Sequence, residues 1–148
     1  GRASEPRRGR SGGTAGSSLG GRAKARQFFL AARARSKRGA LEDARLLYEL
    51  AYEASKPRTP SSVFLNLGLL AREEEDLARA KACLRAYVAR RKTGPEVSRV
   101  RSVLAALPGT RSRRCVTARE GARARERYAR SGARIEAWVD EALAARLR

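Results

Sequence analysis

SSVFLNLGLLAREEEDLARAKACLRAYVAR, residues 61–90, reads as two helices joined by an acidic turn. Alanine, leucine and arginine dominate, β-branched residues are scarce, and nothing alternates with period two. Proline and glycine punctuate both ends, at Lys56-Pro57-Arg58-Thr59-Pro60 and at Thr93-Gly94-Pro95. The pattern predicts helices near 61–73 and 76–91. Between them runs Glu73-Glu74-Glu75-Asp76, with carboxylates where the next helix dipole favours them and Asp76 placed to cap it. Nothing apolar surrounds this cluster to raise a carboxyl pKa, so it reads as a solvated turn and not as an acid–base pair.

Working outward, Gly39 and Pro108-Gly109 supply further breaks. They place helices near 22–37, 40–55 and 95–107, and a last one over roughly 115–147. Sliding the chain by 36 residues aligns Phe28 with Phe64, Ala32 with Gly68, Leu41 with Leu77 and Ala44 with Ala80. A second shift puts Val100 under Phe64, Val103 under Leu67 and Leu107 under Ala71. Small residues fall where helices would approach closely, and large ones where a gap must be filled.

Phe64-x2-Leu67-Gly68-x2-Ala71 followed by Asp76-Leu77-x2-Ala80-x3-Leu84-x2-Tyr87 resembles the tetratricopeptide repeat, a helix-turn-helix unit stacked into a right-handed solenoid. Gly39-Ala40-Leu41-Glu42-Asp43-Ala44-x3-Tyr48-x2-Ala51 resembles the second half of such a unit. Departures are Arg35 at a usually apolar position, Ala32 in place of glycine, and Glu75 where the turn usually has glycine. The resemblance covers about 22–107, two units and the first helix of a third. It implies an all-α fold, a short α-solenoid of helical hairpins; an ordinary helical bundle is the alternative. The expected organisation is a disordered basic Gly/Ser/Arg arm over 1–21, the repeat domain over 22–107, and an Arg-rich helical extension over 108–148. In that extension Ile135, Trp138, Val139, Ala142, Leu143 and Leu147 form an apolar stripe. The stripe must bury itself against the last repeat, a second copy or a partner, with Trp138 as a packing anchor.

Composition narrows the chemistry. The 148 residues carry 34 Lys and Arg against 15 Asp and Glu, a net charge of +19, with no histidine and two cysteines. Without histidine, Ser-His-Asp and Cys-His machinery is excluded, and two cysteines cannot close a tetrahedral zinc site. No enzyme activity, metal or cofactor is expected. Five lysines among the 34 cations, beside abundant alanine, are also what a GC-rich coding sequence yields. Cys83 falls mid-helix as a small buried thiol, and Cys115 follows Arg113-Arg114. The sequence leaves open whether the two pair or Cys115 is a reactive thiol.

The resemblance implies a ligand groove along the first helices of the units, at Arg26, Phe29, Arg33, Lys37, Asn66, Leu69 and Arg101. Four cations there would prefer an acidic or phosphorylated segment. This makes the chain a binding scaffold for another protein. The alternative is an RNA- or ribosome-associated protein that contacts phosphates through Arg111, Arg113, Arg114, Arg119, Arg123, Arg127, Arg130 and Arg134. Arginines 119, 123, 127, 130 and 134 would line one helical face. Tyr128 is the one aromatic among them, too little for base reading. No stretch is long and apolar enough for a bilayer span. The default expectation is a soluble cytoplasmic chain, with export or organelle import left open.

Overall fold

The computed structural model describes residues 20–109 and 112–148, and all regular structure among them is helical. The helices are α1 (Arg22–Lys37), α2 (Leu41–Ser55), α3 (Ser61–Glu73), α4 (Leu77–Arg90), α5 (Pro95–Ala106) and α6 (Ala118–Arg146). Most of the expected N-terminal arm, and Arg111, lie outside the described residues. None of the helices is long and apolar enough to cross a membrane. The chain divides into two compact units, Gly1–Arg58 with Gly121–Arg148, and Thr59–Glu120.

The first unit is built on the α1–α2 hairpin. Its turn needs a left-handed residue, and Gly39 supplies it at φ 79°. Ala40 N–H then donates to Arg35 C=O at 3.0 Å, closing the end of α1. Phe28, Ala31 and Ala32 of α1 are buried with Ala44, Leu47, Tyr48 and Ala51 of α2. From Gly121 onward α6 completes this unit by burying Ala124, Ile135, Val139 and Ala142. The apolar stripe is therefore covered within the chain, by the first hairpin. Tyr128 meets Phe28 edge-on, with centroids 5.7 Å apart. The Arg35 guanidinium stands 5.0 Å over the Trp138 ring and also reaches Asp43 at 3.1 Å. Its charge is thus matched at a position where the repeat pattern has an apolar residue. Leu147, expected in the stripe, is 89 % exposed because α6 ends at Arg146.

Gly121 marks a close approach. A Cβ there would lie 2.2 Å from a carboxylate oxygen of Glu53, which is itself buried and paired with Lys56 and Arg125. Further along, Ser131 leaves the helical region at φ −124° and ψ 28°, kinking α6. The cause is the Ser131-Gly132 pair, a recurrent place for such breaks.

In the second unit the α3–α4 turn puts Glu75 at φ 62°, 36 residues after Gly39. Asp76 N–H donates to Ala71 C=O at 2.8 Å, the same bond as in the first turn with the same offset. Asp76 caps α4 through Arg79 N–H at 3.2 Å. Gly68 lets α3 and α4 close up, since a Cβ would lie 2.6 Å from Leu84 Cδ2. Val63, Leu67 and Leu70 are buried beside Leu84 and Tyr87, and α5 adds Val97 and Val100. Cys83 and Cys115 form a disulfide, so Cys115 is not a reactive thiol.

The start of α6 lies at Ala118, three residues later than the expected start near 115, because Thr117 and Glu120 form a capping box. Thr117 Oγ1 accepts from Glu120 N–H at 3.1 Å, and Thr117 N–H donates to Glu120 Oε1 at 2.9 Å.

Candidate functional site

In the first unit, the second half of α1 and the end of α6 enclose a cleft of about 490 Å³. Leu30, Ala34, Ala142 and Ala145 give it an apolar floor, and Arg33, Lys37, Arg38 and Arg146 surround that floor. The placement follows from helical period. Phe28, Ala31 and Ala32 turn inward, which leaves Arg33 and Lys37, four apart, on the solvent side. Alanine at 142 and 145 keeps α6 from filling the space.

Charge decides what the cleft can hold. Arg38 pairs with Glu141 at 3.3 Å, with both side chains about half exposed. Arg33, Lys37 and Arg146 make no ion pair among the described residues. The carbonyl ends of α1 and α6 each contribute roughly half a negative charge. Four cations, one carboxylate and two helix ends leave an excess of roughly +2, enough to favour an anion. Tyr48 lies within the field of Arg33. Burial pushes its phenol up to about 12, and the arginine pulls it partly back.

The second unit carries a smaller cleft of about 200 Å³, lined by Leu65 and Leu69 of α3, Leu84 of α4, and Glu96, Arg99, Val100 and Val103 of α5. It is apolar at the base, and Leu69 stands 43 % exposed beside it. Glu96 accepts a hydrogen bond from the Tyr87 hydroxyl at 3.3 Å.

Arg33 and Lys37 thus share the cationic cleft of one unit, and Leu69 lines the apolar cleft of the other. The remaining expected groove residues line neither. Arg26 is exposed, and Phe29 is half-buried against Tyr48 with ring centroids 5.7 Å apart. The Asn66 amide donates to Ser62 C=O at 2.8 Å, and Arg101 is exposed and reaches Lys92 C=O at 3.4 Å. Arg38 and Arg146 were not foreseen. Arg38 lies just past the end of α1, and Arg146 depends on where α6 docks.

Among the expected phosphate contacts, Arg113 is committed inside the second unit. It is half-buried and donates to Glu120 at 2.5 Å and to Cys115 C=O at 3.2 Å. Buried Arg79 adds a hydrogen bond to Cys115 C=O at 2.9 Å and stands 3.5 Å from Glu120. Burial alone would raise the Glu120 pKa, but the Thr117 N–H, Arg113 and Arg79 hold it below the usual carboxylate range. Arg114 and Arg119 are exposed in that unit.

Arg123, Arg127 and Arg130 are exposed on one face of α6, which they share with Glu126, and Arg134 is exposed beyond the kink at Ser131. None of the four makes an ion pair among the described residues. Tyr128 and Trp138 do not join that face. The Tyr128 hydroxyl donates to Glu136 at 2.5 Å, and burial with Glu136 pushes its pKa up to about 12. Glu136 also pairs with Lys24, and those two partners outweigh burial to hold its carboxyl below the usual range.

Exposure is unequal between the units. Among the described residues, the exposed ones of the first unit include fourteen Lys and Arg, seven from Arg22 to Arg58 and seven from Arg123 to Arg148, against Glu42, Glu126, Asp140 and Glu141. Those of the second include nine Lys and Arg against five carboxylates. No family model, curated protein or solved structure matches the chain.

Proposed function

We propose that this chain is a non-enzymatic adaptor, a pair of helical hairpins of the tetratricopeptide type that holds an acidic segment of another protein. The observation carrying this reading is the cationic cleft, where Arg33, Lys37, Arg38 and Arg146 surround an apolar floor with one carboxylate among them. An acidic segment bound there would place one apolar side chain on Leu30 and Ala34, and its carboxylates on the surrounding cations. The repeat reading is supported by the two hairpin turns, whose left-handed residue and closing hydrogen bond recur at an offset of 36.

The test is capture of partners by the tagged full chain from a lysate split into nuclease-treated and untreated halves. Proteins retained after nuclease by the wild type, and lost by Arg33→Glu with Lys37→Glu, are the expected result. Loss of everything with nuclease would assign the chain to nucleic acid and overturn the adaptor reading.

A further inference from the structure

The arginine face of α6 is a second surface of the first unit, and it does not rest on the acidic-segment reading. Arg123, Arg127 and Arg130 stand on one side of α6 with Glu126 among them, followed past the kink by Arg134, on the unit with the larger exposed cationic excess. With 1.5 Å per residue, the first three span about 10 Å of axis, so a flat anionic surface can meet them together. The apolar face of α6 is already buried in its own unit, so attachment would be electrostatic, without insertion.

Two observations choose the partner. Nucleic-acid grooves that hold single strands supply stacking aromatics, but both aromatics of α6 are engaged inside the unit. Moreover, Cys83 and Cys115 are joined in a disulfide. Such bonds persist in oxidising compartments and are rare where nucleic acid and ribosomes are housed. We infer that the Arg123–Arg127–Arg130–Arg134 surface docks this chain on the phosphate headgroups of an anionic phospholipid membrane, in an oxidising compartment.

Cosedimentation of the oxidised full chain with vesicles tests this. One set is made of equal parts phosphatidylglycerol and phosphatidylcholine, the other of phosphatidylcholine alone. The expected result is binding to the first set only, weakened as salt shortens the screening length from about 8 Å to about 3 Å. Each arginine contributes about fivefold to affinity, so R123Q/R127Q/R130Q/R134Q would lose roughly 100-fold or more. The corresponding four-lysine variant would keep binding. Glutamine preserves helix propensity at these exposed sites, and circular dichroism checks that α6 is intact. Unchanged binding by the glutamine variant would overturn the proposal, because other cations would then carry it. Failure of the wild type to bind the anionic vesicles, or tighter binding to a labelled DNA duplex than to them, would overturn it too.

Discussion

At single positions, the fold turns on contacts with no room to spare. Gly68 sits against Leu84, and Gly121 against the Glu53 carboxylate. Gly68→Ala would force the buried Leu84 side chain aside, at a cost of about 1–3 kcal/mol read from urea unfolding. The sequence made Gly68 conspicuous because it stands in the repeat motif. Gly121 carries no such mark, since its neighbour Glu53 lies far away along the chain. Titration acts at single positions too. Glu120 and Glu136 have folded pKa values below the ordinary glutamate value. Their contribution is fully present above that value and is lost as pH falls through the lower folded ones. Unfolding midpoints should therefore hold steady down to about pH 5 and fall below about pH 4. Glu120→Gln should lower stability at neutral pH and flatten that acid dependence.

At the scale of elements, helix ends were legible because glycine, proline and a capping aspartate mark them: Gly39, Pro60, Asp76, Pro95 and Pro108. The start of α6 lies later than expected because Thr117-x2-Glu120 forms a capping box, a signal that is itself visible in sequence. The kink at Ser131 interrupts the five-arginine face expected from 119 to 134, which is in regular helix only as far as Arg130. The cysteine pairing stayed open because it depends on the tertiary placement of Cys115 beside α4. The disulfide closes a separation of 32 residues, which corresponds to about 4 kcal/mol of chain entropy. Cys83→Ala with Cys115→Ala should lower the thermal midpoint accordingly, read by calorimetry. An unchanged midpoint would mean that Arg79 and Glu120 hold this segment unaided.

For the whole molecule, the local pattern told which face of the last helix was apolar but not what covers it. An amphipathic stripe states its need for a partner and leaves the partner unnamed. Half of the cationic cleft was therefore readable, through Arg33 and Lys37, and the half built by α6 was not. The proposed function stands on that cleft. Titrating ¹⁵N-labelled full chain with a synthetic Glu/Leu peptide and following the amide shifts addresses it directly. The expected result is saturable shifts clustered over residues 30–38 and 142–146, abolished by Arg33→Gln with Lys37→Gln. Saturable shifts elsewhere, or none in that cluster at saturating peptide, would contradict the assignment of the cleft as a site for acidic segments.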